Sequence, residues 1–284
     1  MKKLKMILPK GRIFSRVADL LNRSGLGIGL NGRNYCPEIE EPYIETKIMK
    51  PQNIAQVIEL GSHDVGFTGL DWIIESGVDV VEIMNLGFDP VRIVAAIPEH
   101  SSYERLLSQK IVVASEYERI TKKFMKERGF EYTIIRTHGA TEAFPPEDAD
   151  MIIDNSATGR TLTDNRLKVV AEIMCSSTVF IASADSIKNS WKKEKVGELK
   201  LIFTSVIEAM NRVMLEMNVP GDRLDAIVKI LPCMRAPTVA PLYNNAGYAV
   251  KVAVKRSETI KLIPRLKKMG ATDILEYEFK KVVA

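Results

Sequence analysis

The sequence predicts an α/β protein made of two α/β lobes followed by a compact C-terminal α+β module. Three observations carry that prediction. Short apolar runs alternate with segments of helical period along most of the chain, the order of elements changes after Pro220-Gly221, and 284 residues with 46% hydrophobic and 27% charged side chains exceed one minimal core.

Residues 4–8 form an apolar run that stops at Pro9-Lys10-Gly11-Arg12, after which Ile13, Val17, Leu20 and Leu21 recur at helical spacing up to Gly25. This reads as strand, tight turn, helix. The same order returns at Val65-Gly66-Phe67, Thr68-Gly69 and residues 70–75, and again at 111–114, Ser115 and 117–128, with a further strand over 131–135. Strands alternating with helices imply a mostly parallel sheet buried on both faces. Met151-Ile152-Ile153 is another buried-strand run, closed by Asp154 at the carboxyl end where ligands bind in open α/β sheets. Residues 168–182 are β-like and lead back from the second lobe into the first, and 191–217 read as helical, with Met210, Met214 and Met217 as packing residues. Pro220-Gly221 is the clearest linker signal. Beyond it the order is helix 223–231, strand 238–242, turn Asn244-Asn245-Ala246-Gly247, strand 248–254, helix 258–269 and strand 273–278, a sandwich of ferredoxin-like character. The expected division is 1–90 with 177–218, 91–176, and 219–284.

Forty Lys and Arg against 36 Asp and Glu give a net charge of +4, which suits an anionic small ligand better than a nucleic acid. Cys36, Cys175 and Cys233 are dispersed without a CxxC, pointing to a reducing compartment. Three apolar residues before Pro9-Lys10 do not fit a signal peptide, and the charge-free run 173–184 is too short for a membrane span. A cytoplasmic protein is expected.

Gly27-Ile28-Gly29-Leu30-Asn31-Gly32 matches GxGxxG by letter, but it follows a helix and leads into Asn34-Tyr35-Cys36-Pro37, so its context opposes a dinucleotide fingerprint. Pro9-Lys10-Gly11-Arg12 puts two cations at a helix start, where dipole and charge together favour an anion. A solvated basic turn is the open alternative. The most informative stretch is Asp154-Asn155-Ser156-Ala157-Thr158-Gly159-Arg160-Thr161. Its small residues let backbone N–H groups crowd a phosphate, its hydroxyls add donors, and Asp154 is placed to accept from sugar hydroxyls. An ordinary strand-to-helix turn is the alternative there. Gly139-Ala140-Thr141-Glu142 is a second such turn with a carboxylate. His63, His100 and His138 lack metal-ligand spacing.

Four segments taken in order resemble the long form of the ATP phosphoribosyltransferase family: Leu8-Pro9-Lys10-Gly11-Arg12; Asp64-Val65-Gly66-Phe67-Thr68-Gly69 with Asp71-Trp72; 154–162; and Arg235-Ala236-Pro237-Thr238-Val239-Ala240-Pro241-Leu242 with Met269-Gly270-Ala271. The resemblance implies two catalytic lobes like a type II periplasmic binding protein and an ACT-like regulatory domain. It implies transfer of the phosphoribosyl group from phosphoribosyl pyrophosphate to N1 of ATP with Mg²⁺, feedback inhibition by histidine, and a homo-oligomer, dimer or hexamer. By the same resemblance Thr158, Gly159, Arg160 and Thr161 would cradle the 5-phosphate, and Asp154 and Glu142 would hold the ribose hydroxyls. Lys10, Gly11 and Arg12 would face pyrophosphate or triphosphate, Thr68, Gly69 and Asp71 would line the nucleotide side, and Asp225, Ala271, Thr272 and Asp273 would meet histidine. Two departures stand out: Ala157 where many relatives have Ser, and polar Asn155-Ser156 where they have apolar residues. A non-catalytic solute sensor and a phosphoribosyltransferase acting on a free base are the competing readings. The sensor does not need the phosphate turn, and the free-base enzyme leaves the C-terminal module unexplained.

Overall fold

The computed structural model describes residues 2–29, 35–234 and 236–283. The Leu30-Asn31-Gly32 end of the glycine motif, Asn34 and Arg235 therefore lie outside the described residues. The chain forms two compact units, residues 1–22 with 26–197, and 23–25 with 198–284.

The first unit is organised on an eight-stranded sheet. Its strands are β1 (Leu4–Pro9), β4 (Ile44–Met49), β5 (Val65–Gly69), β6 (Val81–Pro98), β7 (Ile111–Ser115), β8 (Tyr132–Arg136), β9 (Met151–Ser156) and β10 (Leu167–Ala182), in the order β4-β1-β5-β10-β6-β9-β7-β8. A small ribbon, β2 (Ile28–Gly29) with β3 (Glu38–Ile39), stands apart. The helices are α1 (Arg12–Ser24), α2 (Pro51–Glu59), α3 (Leu70–Ser76), α4 (Tyr103–Leu107), α5 (Glu118–Arg128), α6 (Arg160–Asp164), α7 (Ala184–Lys188) and α8 (Ser190–Asn211), the last running on into the second unit.

The sheet is mixed rather than mostly parallel. β1 runs parallel to β4 and β5, and β7 to β8 and β9, but β10 is antiparallel to β5 and β6, and β6 to β9. Strand-helix alternation reports the parallel pairs and does not reveal that β6 and β10 run antiparallel to their neighbours. These two long strands pair with each other from end to end, Val81 opposite Ala182 and Pro98 opposite Leu167, with the register shifted at five places, one of them between Phe88 and Val91. Asp89 has a positive φ of 47° at the break. The expected lobe borders, 90/91 and 176/177, fall at this irregularity.

Burial explains why the strands read as unbroken apolar runs. Ile93, Ala95 and Ile97 pack with Val113, Met151, Ile153 and the α5 residues Ile120, Phe124 and Met125. Their neighbours Val94 and Ala96 face the other way, with Ala114, Ile152, Leu162 and Leu167. Both faces are covered, so neither needs polar residues. Asp64, just ahead of β5, is a structural acid: its carboxylate accepts from Lys5 N–H at 2.8 Å, Ser186 Oγ at 2.7 Å and Lys192 Nζ at 2.5 Å. Burial alone would raise its pKa, but these donors outweigh it and hold the group below the usual carboxylate range.

The second unit carries a four-stranded antiparallel sheet of β11 (Arg212–Val219), β12 (Thr238–Pro241), β13 (Tyr248–Lys255) and β14 (Thr272–Glu278), in the order β12-β13-β11-β14, with α9 (Leu224–Val228) and α10 (Arg256–Lys268). Val213, Leu215, Met217 and Val219 pack with Val250, Val252, Val254, Ile227, Leu262 and Leu266. Here the expected helix over 191–217 is corrected: it ends at Asn211, and Met214 and Met217 belong to a strand. Val206, Met210, Val213 and Met217 fall at helical spacing by coincidence, while the burial of alternate residues through 212–219 is the period of a strand. The units accordingly divide inside α8, ahead of the Pro220-Gly221 signal, because β11 already belongs to the C-terminal sheet.

Candidate functional site

The turns at the carboxyl ends of β1, β5, β7, β8 and β9 converge on three neighbouring cavities in the first unit. One, of about 180 Å³, is lined by Lys10, Arg12, Gln52, Gly69, Asp71, Trp72, Glu116, Tyr117, Asn155 and the β10 residues 176–178, among others. A second, of about 350 Å³, is lined by Arg12, Glu116, Gly139, Ala140, Glu142 and the stretch 154–159 with Thr161 and Leu162. A third, of about 370 Å³, carries Lys50, Gln52, Trp72, Glu75, Glu116, Arg136 and His138. Arg12, Glu116 and Asn155 line both of the first two.

The anticipated residues thus divide by cavity. Lys10, Arg12, Gly69 and Asp71 meet in one, and Glu142, Asp154, Thr158, Gly159 and Thr161 in the other, with Arg12 common to both. Three expected residues do not line either cavity. Thr68 is fully buried and its hydroxyl donates to Pro51 O at 2.9 Å. Gly11 is the exposed turn residue between β1 and α1. The Arg160 side chain is 86% exposed and pairs with Asp164 one helical turn on.

Asp154 does not close β9 as expected, since the strand runs on through Asn155 and Ser156 opposite Ile93 and Arg92, and it stands beside acids. Its Oδ1 accepts from Asn155 N–H at 2.7 Å and from Asn155 Nδ2 at 3.1 Å. Burial pushes its pKa up to about 6; the Asn155 N–H and the Thr141 hydroxyl oppose that rise, and the charges of Glu116 and Glu142 add to it. Gly159 follows with φ +81°, a left-handed conformation that bends the chain into α6 and that a side chain would strain.

Asp71 is a different kind of acid. Each of its carboxylate oxygens takes one hydroxyl: Ser176 Oγ donates to Oδ1 at 2.6 Å and Tyr117 OH to Oδ2 at 2.8 Å, while Asp71 N–H donates to Ser176 Oγ at 3.0 Å. A Cβ at Gly69 would lie 2.1 Å from Asp71 Oδ1, so only glycine lets this carboxylate fold back over the turn. Trp72 stacks on Tyr117 with ring centroids 4.6 Å apart, and Glu75 accepts the N–H groups of Arg119 and Ile120 at 3.0 Å, capping α5 from α3. Burial raises the Tyr117 phenol, with the Asp71 charge adding. Asn155 Nδ2 donates to the Tyr117 oxygen at 3.2 Å, so hydrogen bonds run from Ser176 through Asp71, Tyr117 and Asn155 to Asp154. Sequence reasoning missed Glu116, Tyr117 and Ser176. Their only signal was position: Glu116 and Tyr117 follow the strand-end Ser115.

In the second unit Asp225 is exposed on α9 and Ala271 is buried in the core. Thr272 Oγ1 and Asn218 Nδ2 both donate to Asp273 Oδ2, at 3.0 and 2.8 Å, which holds the Asp273 carboxyl below its ordinary pKa. No hydrogen bond or ion pair joins Asp225 to this turn among the described residues.

Residues 50–205 match the family model for ATP phosphoribosyltransferase, and 209–281 match that for the HisG C-terminal domain. The ATP phosphoribosyltransferases of Chlorobium phaeovibrioides and Pelotomaculum thermopropionicum are each 38% identical over 99% of this chain, covering 97% and 99% of those proteins. Among solved structures, the ATP phosphoribosyl transferase (HisG:HisZ) complex from Thermotoga maritima superposes with a TM-score of 0.65 at 25% identity, over 72% of this chain and 98% of that one.

Proposed function

This chain belongs to the ATP phosphoribosyltransferase family, with the C-terminal domain of its long form, and on that premise we propose how its residues carry the reaction. The reaction condenses ATP with 5-phosphoribosyl 1-pyrophosphate to phosphoribosyl-ATP and pyrophosphate, the first step of histidine biosynthesis. The observation that supports the assignment of roles is the junction of two cavities at Arg12, Glu116 and Asn155. One cavity carries cations and the buried acid Asp71 and takes ATP. The other carries the hydroxyl turn with Asp154 and Glu142 and takes the phosphoribosyl donor.

Thr158, Gly159 and Thr161 offer backbone N–H groups and hydroxyls to the 5-phosphate, and Asp154 and Glu142 accept from the ribose hydroxyls. Arg160 contributes its N–H rather than its guanidinium, since that side chain points to Asp164 and solvent. As adenine N1 bonds to C1, the C1–O bond breaks and its electron pair leaves with pyrophosphate. Lys10 and Arg12 stabilise that leaving charge. N1 is nucleophilic without deprotonation, so no general base is assigned and catalysis rests on positioning and leaving-group stabilisation.

The family implies Mg²⁺. Among the described residues no group of three or more His, Cys, Asp or Glu side chains is placed to cage a metal. Asp154 and Glu142 still fit the ion, because Mg²⁺ keeps several waters and is usually held by one or two carboxylates plus substrate phosphates. When bound it neutralises pyrophosphate charge.

The break in β6 and β10 supports two catalytic lobes of type II periplasmic-binding-protein character, and the C-terminal sheet supports an ACT-like domain. Histidine is read as the feedback inhibitor, bound between C-terminal domains of neighbouring chains in a homo-oligomer, dimer or hexamer. Asp225, Thr272 and Asp273 are the proposed contacts; the core position of Ala271 leaves only its backbone for that role. No described helix is long and apolar enough to cross a membrane. Three cysteines outside any disulfide and an ATP-dependent biosynthetic step suit a reducing cytoplasm. Mixing the protein with ATP, phosphoribosyl pyrophosphate and Mg²⁺, with and without histidine, and following the ultraviolet change of N1-substituted adenine tests the reading. No absorbance change would refute it. Inhibition that survives deletion of residues 219–284 would refute the histidine site.

A further inference from the structure

Glu116 lines all three cavities of the crevice. It sits between Ser115 and Tyr117 on a fixed backbone: Ser115 Oγ donates to Ile153 O at 2.6 Å and accepts Tyr117 N–H at 2.9 Å, while Thr137 N–H donates to Ser115 O at 3.0 Å. Its half-buried carboxylate makes no hydrogen bond or ion pair among the described residues, unlike the neighbouring acids Asp71 and Glu75. A Cβ added at Gly139 would stand 4.0 Å from Glu116 Oε1, so this acid faces the turn of the sugar-side cavity as well as Trp72 on the nucleotide side.

An acceptor with no donor, placed where the two substrates meet, fits one feature of the acceptor purine. Adenine carries its 6-amino group beside N1, the atom that attacks. At that position a 6-oxo purine presents an acceptor oxygen instead, and N1 carries a proton. We propose that Glu116 accepts a hydrogen bond from the 6-amino group of the bound purine nucleotide, making it a specificity-determining and catalytic residue. The proposal rests on the reading of this crevice as the meeting place of ATP and the phosphoribosyl donor. Two consequences follow from the chemistry. A 6-oxo purine would set oxygen against carboxylate, so it is rejected. As N1 gives its electron pair to C1, positive charge spreads onto the 6-amino nitrogen, and the hydrogen bond to the carboxylate strengthens in the transition state.

The test measures dissociation constants for ATP, inosine triphosphate and the 6-hydrogen purine riboside triphosphate by calorimetry, on the full chain and on Glu116→Gln. The wild type should bind the 6-hydrogen nucleotide about tenfold or more weaker than ATP, because the carboxylate is then left unpaired. In Glu116→Gln, whose amide can donate to a 6-oxo group, the preference for ATP over inosine triphosphate should fall about tenfold, and kcat with ATP should fall roughly 10–100-fold. A fall in preference below threefold overturns the proposal; any larger fall supports it. Should the glutamine variant fail to fold, the wild-type comparison decides, and equal binding of ATP and the 6-hydrogen nucleotide overturns the proposal. The two possible failures are distinguishable. A wild type that forms no phosphoribosyl-ATP defeats the functional reading, whereas one that turns over with unchanged preference in Glu116→Gln defeats only the role of Glu116.

Discussion

Two strand-to-helix turns in the crevice share one local pattern and do opposite work. The turn after β5 ends in Asp71, whose carboxylate is filled by Ser176 and Tyr117. The turn after β9 is preceded by Asp154, two residues inside the strand, whose charge is held mainly by the neighbouring Asn155 and pushed toward neutrality by burial. The lesson is that an acid at such a turn becomes a structural anchor or a binding group according to how its two oxygens are engaged: each Asp71 oxygen takes a buried hydroxyl, whereas both Asn155 donors fall on Oδ1 of Asp154. Asp71 is 4% exposed with a hydroxyl on each oxygen, while the less buried Asp154 keeps Oδ2 clear of the Asn155 donors.

The sharpest break in this comparison is Asp154→Asn. Turnover should fall about 10³-fold or more as the ribose hydroxyls lose a charged acceptor, measured by phosphoribosyl-ATP formation. The same change should stabilise the fold. The folded-state pKa of Asp154 is about 6, above its ordinary 3.8, so the folded protein favours the protonated form. Stability from that preference is complete below the ordinary value and lost as pH rises through 6. At pH 8 a neutral amide therefore gains on the order of 1–2 kcal/mol, with solvent screening allowed for, read as a higher urea midpoint.

Asp71→Ala should behave in the opposite sense. It leaves the Tyr117 and Ser176 hydroxyls buried without their partner, and the expected loss is about 2–4 kcal/mol in urea unfolding. Unchanged stability would show that the Asp71 network is dispensable and would erase the contrast.

A pH profile refines the comparison further. With Asp154 titrating near 6, kcat/KM for phosphoribosyl pyrophosphate should decline below that pH as the carboxylate protonates, and Asp154→Asn should abolish that limb. A limb that persists unchanged in the variant would show that Asp154 does not carry it. Gly159→Ala should act more mildly, costing about 1–2 kcal/mol through the left-handed backbone and raising the KM for phosphoribosyl pyrophosphate several-fold, with the KM for ATP steady. Smallest of all is Arg160→Ala, expected to change stability by less than about 0.5 kcal/mol, since its exposed pair with Asp164 contributes little.

Much of this was legible in the residues. Buried strands announce themselves by apolar runs, and the turns at Lys10–Arg12 and 154–161 by small and charged residues at strand ends. What stayed hidden was contact between distant segments. Nothing near Thr68 in the chain says that its hydroxyl is taken by Pro51, and nothing near Asp71 says that Ser176 fills it across 105 positions of sequence. The helical spacing of Val206, Met210, Val213 and Met217 hid β11, because two periods coincide over so short a stretch. Glu116 was passed over for a related reason: a lone acid gains meaning only when three cavities meet at it.

The central claim is that the β9–α6 turn seats the phosphoribosyl donor. A crystal structure of the full chain with phosphoribosyl pyrophosphate addresses it directly. The account predicts the 5-phosphate within hydrogen-bonding distance of the N–H groups of residues 158–161, with the Asp154 carboxylate on the ribose hydroxyls. A donor bound elsewhere in the crevice, with that turn empty, would contradict it.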